Sequence, residues 1–328
     1  MKVYIKNHAF GAGKWIYKGY ANAWESLGHQ VEYYDKLLDI KDEDYYLMVI
    51  DGDISGCRLK AMNAAGYRHD ITESPYKMKF YDDNIDPDRL DVLSRAKKVF
   101  LFVQPFYFLE PWGSHTNFIT SISQTGINEI NSLNNIVKWT FVDTKMYDFY
   151  QAWGDDINNI HLAFDSIEYK PNEDSKYKFD ISYVGTWANN GYDEKKRIMT
   201  SHFVEIKNSG LKAGVFVNQN ISIQDEANLL YNSKVSINIH DRYQHVLGSD
   251  INERTFKSLG LNGFLISDKV EIMKSIFPNV PLAETPQEMI QIIKKYCDQD
   301  LTEIKKQNRN MILENHTYIN RVEQMLSI

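Results

Sequence analysis

The sequence of 328 residues has few of the features that mark exported, metal-binding or membrane-spanning proteins. Its two cysteines, Cys57 and Cys297, lie far apart and lack the spacing of a metal site. Isolated cysteines of this kind are typical of reduced thiols in the cytoplasm. No apolar run reaches the roughly 20 residues that a membrane span needs, and no N-terminal apolar stretch resembles a signal peptide. The sequence therefore predicts a cytoplasmic protein without a membrane span.

The sequence also has fewer basic than acidic residues. Lysine and arginine number 37 against 44 aspartate and glutamate, which gives a formal net charge of −7. This balance provides no electrostatic footprint for general nucleic-acid binding, although it is compatible with a local basic groove. Aromatic residues are plentiful instead, with 21 Tyr, 16 Phe and 6 Trp. We expect most of them in the core and some of them to hold sugar rings or bases.

Strand and helix patterns alternate along the chain, which predicts an α/β fold with largely parallel sheets and right-handed crossovers. The length is comfortable for two domains. A polar stretch, Asp165 to Lys178, has the composition of an interdomain linker, and a second β/α series starts at Phe179. Predicted strands of the first half lie at 2–6, 30–34, 46–50, 99–103 and 137–142, with the first helix at 15–27 and a long final helix at 301–326.

The segment from Val235 to Asp268 carries the strongest functional pattern. It predicts a buried strand, a loop, a helix that starts with Asn252, Glu253 and Arg254, and a second buried strand. In open α/β sheets, ligands bind at the carboxyl ends of strands and at helix N-termini. Arginine suits phosphates, whereas a carboxylate and an amide suit hydroxyl groups. An ordinary βαβ unit with a solvated helix start remains the alternative.

Three motifs in their order along the chain resemble the C-terminal half of GT-B glycosyltransferases of the spore-maturation CgeB type, a group related to the broad family-1/family-4-like glycosyltransferases. Phe179 to Thr186 is similar to the strand and glycine loop that open the family's nucleotide-binding domain. The resemblance spans residues 160 to 325, about half of the chain. The other matching residues are Asn252, Arg254, Phe256, Gly260 or Gly263, His316, Thr317, Tyr318 and Arg321.

This resemblance implies a GT-B fold, in which two Rossmann-like domains face a cleft. Residues 1–165 would form the acceptor side, residues 166–310 would bind the nucleotide-sugar, and residues 311–328 would be a helix packing back on the N-terminal domain. It implies transfer of a sugar from a nucleotide-diphosphate sugar to an acceptor hydroxyl, without a metal or a tightly bound cofactor. The acceptor stays open among a glycan, a small molecule, a protein and a modified DNA base.

The resemblance also implies where the donor binds. The diphosphate is expected near the Gly185 loop, and Arg197 is favoured over its neighbouring lysines because its position matches a family arginine. Relatives place a glutamate after the motif's Phe to hold the ribose hydroxyls, whereas this chain has Lys257. Either Glu253 takes over or the donor is held differently, and Lys257→Glu is expected to be tolerated or even to tighten nucleotide binding. The predicted donor-binding residues are Gly185, Thr186, Trp187, Arg197, His240, Asn252, Glu253, Arg254 and Lys257.

Candidate catalytic residues lie in the first half. His115 stands in an aromatic loop on the expected acceptor side, and Asp143 follows a predicted strand. Either could act as a base or position a sugar hydroxyl. The glycine loop that follows the first strand, with Gly11, Gly13 and Lys14, is expected to line the cleft.

Two motifs are weaker. The glycine loop fails as a P-loop, because His8 and Trp15 stand where glycine and Ser or Thr are required. Asp51-Gly52-Asp53 resembles the Asp-x-Asp metal site of GT-A glycosyltransferases, but a polar strand end is the preferred interpretation, so no metal ligands are predicted.

Two rival functions remain open. One is a phage-type glycosyltransferase that acts on a hydroxylated base in DNA and needs a basic groove on the N-terminal domain. The other is a non-catalytic protein that binds a nucleotide or a partner. The lysine at position 257, where relatives have glutamate, is the feature that keeps the second rival open.

Overall fold

The computed structural model describes residues 1–8, 11–55, 85–103, 106–109, 116–119, 122, 124–141, 153–187, 194–241, 244–245 and 248–328. The chain forms two compact α/β units, Met1–His161 with Arg321–Ile328, and Leu162–Asn320. The catalytic candidates His115 and Asp143 lie outside the described residues. Among the helices that the structure describes, none is long and apolar enough to cross a membrane.

The first unit is built on a parallel sheet. Its strands are β1 (Lys2–Lys6), β2 (Gln30–Tyr34), β3 (Tyr46–Ile50), β4 (Lys98–Phe102), β7 (Ile136–Thr140) and β8 (Asn158–Asn159), and a separate antiparallel pair is β5 (Phe106–Leu109) and β6 (Thr116–Ile119). The six parallel strands have the order β2-β1-β3-β4-β7-β8. Strands such as Tyr-Leu-Met-Val-Ile are almost continuously apolar, as expected for a parallel sheet covered on both faces.

The described helices of the first unit are α1 (Gly11–Ser26), α2 (Asp51–Ser55), α3 (Pro87–Arg95) and α4 (Gln124–Asn131). Large residues, including Trp24, Tyr45 and Phe100, are fully buried in the core of this unit. Asp86 begins α3 because its side chain accepts a hydrogen bond from the Asp88 N–H, with Pro87 in the first turn.

The second unit contains a five-stranded parallel sheet. Its strands are β9 (Ile181–Gly185), β10 (Ala213–Val217), β11 (Val235–Asn238), β12 (Leu265–Asp268) and β13 (Leu282–Ala283), in the order β10-β9-β11-β12-β13. Because β10 lies on one side of β9 and the later strands lie on the other, the order reverses between β9 and β11. Such a reversal is where open α/β sheets form a binding crevice.

The α-helices of the second unit whose ends are described follow its strands in the usual alternation. They are α5 (Glu194–Asn208), α6 (Ile223–Asn232), α7 (Glu253–Leu261), α8 (Met273–Ile276), α9 (Pro286–Cys297) and α10 (Thr302–Asn315). The last helix, α11 (Tyr318–Ser327), begins in the second unit, and its residues from Arg321 onward belong to the first.

The structure differs from the sequence prediction at the first glycines. Helix α1 already begins at Gly11, so Gly11, Gly13 and Lys14 lie in its first turn and not in a loop. The connection from β1 is therefore short. Gly13 packs against the His8 ring, since a Cβ at Gly13 would lie 3.2 Å from His8 Nδ1.

The predicted single final helix is two helices. The chain leaves helical geometry at His316, and Thr317 caps the start of α11, since its Oγ1 accepts from the Asn320 N–H at 3.3 Å. In return, the Asn320 Oδ1 accepts from the Thr317 N–H at 2.9 Å. These two reciprocal hydrogen bonds have the pattern of a capping box. They start a new helix at this point, which explains why α10 and α11 are separate.

The polar stretch from Asp165 to Lys178, interpreted as a linker, packs along α6 within the second unit. The Asn172 and Asp174 N–H groups donate to the side-chain oxygens of Asn228 and Asn232 at 2.8 and 3.0 Å. Its polarity therefore reflects hydrogen bonding to a helix, which composition alone cannot distinguish from solvation.

Candidate functional site

Polar side chains gather where the second sheet reverses its strand order. Gly185 ends β9, Asn238 ends β11 and Asp268 ends β12, so all three lie at the carboxyl edge. Helix α7 starts at the same edge. The sequence prediction of a strand, a loop and a helix start in this segment agrees with the described geometry.

Asn252 is the N-cap of α7. Its Oδ1 accepts from the Thr255 N–H and from the Thr255 hydroxyl, both at 3.2 Å. The Asn238 Nδ2 donates to the same Asn252 Oδ1 at 3.1 Å, and to Thr255 Oγ1 at 2.9 Å. Because Phe256 and Leu259 of α7 are buried, the helix start is fixed relative to the end of β11.

Arg254 reaches from α7 across the point of reversal. Its Nε donates to the Val184 carbonyl of β9 at 2.8 Å, and its Nη1 donates to Asn238 Oδ1 at 3.2 Å and to the Ile239 carbonyl at 3.3 Å. The guanidinium lies over the Tyr183 ring, 4.8 Å from its centroid. Among the described residues, the second terminal nitrogen, Nη2, has no hydrogen-bond acceptor, and Arg254 is half-buried.

Gly185 gives the guanidinium its room. A Cβ at this position would lie 2.6 Å from Arg254 Nη2 and 2.7 Å from the Tyr183 hydroxyl. Such distances are far inside van der Waals contact, so any side chain at position 185 would displace the arginine. The glycine is therefore explained by close approach and not by a special backbone conformation.

A carboxylate and two imidazoles lie beside this arginine. The Asp268 Oδ1 is 2.6 Å from His240 Nδ1, and its Oδ2 accepts from the His240 N–H at 2.8 Å and lies 2.9 Å from His245 Nε2. Burial raises the pKa of the Asp268 carboxyl, but the interactions with His240 and His245 outweigh it and hold the pKa well below its usual range. Asp268 is therefore a carboxylate at neutral pH.

Lys257 and Glu253 lie in a second cluster, on the other side of α7. The Lys257 ammonium is 2.7 Å from Glu226 Oε1 of α6 and 3.8 Å from Glu253 Oε2. It also lies 5.4 Å from the centroid of the Tyr169 ring. Two carboxylates thus share one ammonium group in a site where Glu226 is 6% and Lys257 8% exposed.

The charge states of this cluster follow from burial and from that pairing. Burial lowers the pKa of Lys257, but Glu226 and Glu253 outweigh it, so its pKa is raised and it stays an ammonium. Burial raises the pKa of Glu253, which Lys257 opposes and Glu226 reinforces. Glu253, whose Oε2 lies 3.8 Å from the ammonium against 2.7 Å for Glu226 Oε1, is the less tightly paired of the two carboxyl groups.

The remaining predicted donor-binding residues follow β9 or lie on α5. Thr186 is exposed, and the Trp187 N–H donates to Asn218 Oδ1 at 3.0 Å. Arg197 is exposed on α5. Lys195, two residues earlier, reaches the segment that follows the end of β11, where its ammonium lies 2.7 Å from Asp241 Oδ1.

Sequence reasoning missed several of these partners. Asn238 had a signal, since it is a polar residue at the end of an apolar strand. Glu226 had none, because it stands among Ala227, Leu229 and Leu230, and only the fold brings it against Lys257. Tyr169 lies in the segment interpreted as a linker, and no pattern in the sequence indicated its contact with Lys257.

The first unit, considered by itself, has polar groups after β1 and β3. Asp51 and Asp53 lie in the first turn of α2, where the Asp51 Oδ1 accepts from the Gly52 N–H at 2.7 Å and the Asp53 Oδ1 is 3.8 Å from Lys6 Nζ. The Lys14 ammonium lies 5.2 Å from the centroid of the Trp15 ring. Among the described residues, no group of three or more His, Cys, Asp or Glu could hold a metal ion.

Most of the second unit matches a known family model. Residues 171–327 match the model of a family described as glycosyl transferase-like. No curated protein matches the chain.

Several solved structures are similar over nearly the whole chain. AviGT4, a glycosyltransferase of avilamycin A biosynthesis, has a TM-score of 0.51 at 10% identity, covering 99% of this chain and 96% of its own. The N-terminal domain of Candida albicans trehalose-6-phosphate phosphatase has a TM-score of 0.52 at 10% identity, with 99% and 95% covered. A single-residue mutant of BGT from phage T4, in complex with UDP-glucose, has a TM-score of 0.49 at 11% identity, with 98% and 97% covered.

Identities this low show a shared fold and nothing about specificity. The predicted α/β fold of the GT-B class, built from two Rossmann-like domains, is confirmed. Together, the family match over residues 171–327 and the fold support a glycosyltransferase.

Proposed function

We propose that the protein transfers a sugar from a nucleotide-diphosphate sugar to an acceptor hydroxyl, and that the donor binds at the carboxyl edge of the second sheet. The observation that carries this proposal is the Arg254 guanidinium. It is fixed between β9 and β11 at the reversal of strand order, with Nη2 unused by any described acceptor. The part of the chain that matches the glycosyl transferase-like family includes this edge.

The chemistry that this edge can supply is stabilisation of a departing nucleoside diphosphate. A fixed guanidinium gives positive charge where the leaving group becomes more negative, and its anchors remove the need for reorganisation. The N-terminus of α7 and the Gly185–Thr186 backbone add N–H dipoles. Lys195 is placed to add a second cation by exchanging Asp241 for phosphate, a role for which the sequence favoured Arg197.

The ribose is proposed to lie beside Glu253, which takes the part that a glutamate at position 257 has in the relatives of the spore-maturation CgeB type. Lys257 is then not a ligand of the donor, because Glu226 and Glu253 already engage its ammonium. The assignment to the CgeB-type group rests on the order of the motifs, and Lys257 is its one departure.

The first test of this function is a thermal-shift screen against UDP-, GDP-, ADP- and TDP-glucose. A ligand at 100 times its Kd raises stability by about 2.7 kcal/mol through mass action alone. We expect one nucleotide-sugar to raise the melting temperature and to be hydrolysed or transferred slowly. Binding without any turnover would favour a nucleotide-binding protein, and no shift with any of the four would contradict the proposal.

The proposed transfer needs no divalent cation, because arginine supplies the positive charge. We expect donor turnover to persist in excess EDTA, and Asp51→Ala and Asp53→Ala to keep nucleotide-sugar binding. Activity that disappears on chelation and returns with manganese would show that a metal is part of the reaction. The two alanine variants would then locate that metal at α2 or exclude it from there.

Glu253→Gln should weaken binding of a ribonucleotide more than binding of its 2′-deoxy analogue. A hydroxyl that loses a charged acceptor costs about 1–3 kcal/mol, and only the ribonucleotide has that hydroxyl to lose. Isothermal titration calorimetry with matched ribo- and deoxynucleotide-sugars measures the difference. Equal losses for both ligands would mean that Glu253 only balances Lys257.

A further inference from the structure

Both ring nitrogens of His240 are engaged inside the protein, and the residue is fully buried. The Nδ1 lies 2.6 Å from Asp268 Oδ1, and the Nε2 lies 3.2 Å from Asn238 Nδ2. A side chain in this position has no surface to offer a ligand directly. Its effect on a donor must therefore pass through the residues that it touches.

The orientation of the Asn238 amide is determined by Arg254. A guanidinium only donates hydrogen bonds, so the atom of Asn238 that faces Arg254 Nη1 is the oxygen. The amide nitrogen then faces His240 Nε2, Asn252 Oδ1 and Thr255 Oγ1. The two hydrogens of this nitrogen are shared among the three groups, and a hydrogen directed at His240 Nε2 makes that ring nitrogen an acceptor, which places the proton of the neutral ring on Nδ1, directed at Asp268.

We infer that His240 is a positioning residue: by accepting from Asn238, the neutral imidazole holds the amide in the orientation that presents Oδ1 to Arg254. The inference rests on the proposed function, because Arg254 is the proposed phosphate ligand. A protonated His240 would present an Nε2–H to the Asn238 amide, and two donors would oppose each other. Relief requires rotation of the amide, which turns Nδ2 toward the guanidinium and Oδ1 toward Asn252 Oδ1.

Protonation of His240 therefore opposes binding of the nucleotide-sugar through Arg254. The charged or titratable described groups around His240 are Asp268 on β12, His245, whose ring centroid is 6.3 Å away, and Arg254 through Asn238. Linkage is reciprocal. A bound nucleotide-sugar that stabilises the present position of Arg254 therefore also keeps His240 neutral.

The sign of the pH effect follows from this coupling. Lowering the pH adds a proton to His240, turns the Asn238 amide and withdraws one acceptor from the guanidinium. Donor affinity should consequently fall as the pH is lowered. The suitable probe is a nucleotide-sugar, since its diphosphate is a diester without the ionisation near about pH 6 that a free nucleoside diphosphate has.

The first experiment measures affinity for whichever of UDP-, GDP-, ADP- and TDP-glucose stabilises the protein most, between about pH 8 and about pH 5.5. We expect the unmodified protein to lose about fivefold or more in affinity across this range, within the usual span of coupling between sites. Asn238→Asp should have a flat profile, because a carboxylate presents oxygen to both Arg254 and His240 in every protonation state. His202→Gln, which removes a histidine bonded to its own helix through Ile198, is the matched control and should keep the fall.

The second experiment needs no ligand. Nitrogen-15 NMR of histidine-labelled protein should show His240 as a neutral ring with the proton on Nδ1 at about pH 8. Finding the proton on Nε2 would overturn the inference even if donor binding is confirmed. An unchanged fall in Asn238→Asp, or a fall that disappears only in His245→Gln, would overturn it as well. If no nucleotide-sugar binds, the proposed function fails, and the ring state of His240 still shows whether Asn238 is held as inferred.

Discussion

Lys257→Glu, which restores the residue of the relatives, should destabilise the second unit by about 3–5 kcal/mol, the usual result of leaving a buried charge without its partner. The substitution would bring together three carboxylates, since Glu226 lies 2.7 Å and Glu253 3.8 Å from the present ammonium. The sequence alone predicts that this change is tolerated. The structure reverses that expectation, because the lysine neutralises a buried site that the sequence does not reveal.

Chemical denaturation, followed by far-ultraviolet circular dichroism, measures this effect. Lys294→Glu on α9 is the matched control, since it makes the same change of charge at an exposed position and should cost less than about 0.5 kcal/mol. The double variant Glu226→Lys with Lys257→Glu exchanges the two charges and should recover part of the loss. A single variant as stable as the control would show that the cluster is open to water and that Lys257 is free to serve the donor.

Arg254→Ala is expected to weaken nucleotide-sugar binding at least tenfold, equivalent to about 1.4 kcal/mol, because charge-assisted hydrogen bonds contribute about 1.5–3 kcal/mol. The loss should be larger in turnover than in binding, since the leaving group gains charge in the transition state. Removing the side chain also leaves the Val184 and Ile239 carbonyls and the Asn238 amide without their donor. A modest drop in melting temperature is therefore part of the prediction, and binding is measured well below it.

Two variants separate the role of the guanidinium from that of its charge. Arg254→Lys keeps the charge without the planar fork, and it should bind better than the alanine variant but worse than arginine. Arg309→Ala removes an arginine whose Nη1 donates to the Asn262 carbonyl after the other end of α7, and it should leave binding unchanged. Equal affinity in Arg254→Ala and the unmodified protein would remove Arg254 from the site.

The sequence predicted those parts of the molecule that depend on local pattern. Asn252, Glu253 and Arg254 mark a helix start because a capping amide, an early carboxylate and the following apolar residues are neighbours in sequence. The parallel sheets follow from the alternation of strands and helices along the chain. These predictions needed no knowledge of which elements touch.

What the sequence could not predict depends on contacts between distant segments. Glu226 and Tyr169 meet Lys257 only because α6 and the segment before β9 pack beside α7. The contact between Lys195 and Asp241 depends on which face of α5 points inward. The break before Thr317 depends on one amide, Asn320, three residues later, and the helical periodicity on both sides hides it.

The absence of a side chain at Gly185 has a consequence for how this protein can evolve. Position 185 and position 254 compete for the same volume, since a methyl group at the first would lie 2.6 Å from the second's terminal nitrogen. In a lineage with alanine at 185, the arginine at 254 could not keep its present position. In a lineage without the arginine, a side chain at 185 would no longer meet its guanidinium. The two positions lie far apart in sequence, and we expect glycine at 185 and arginine at 254 to co-vary.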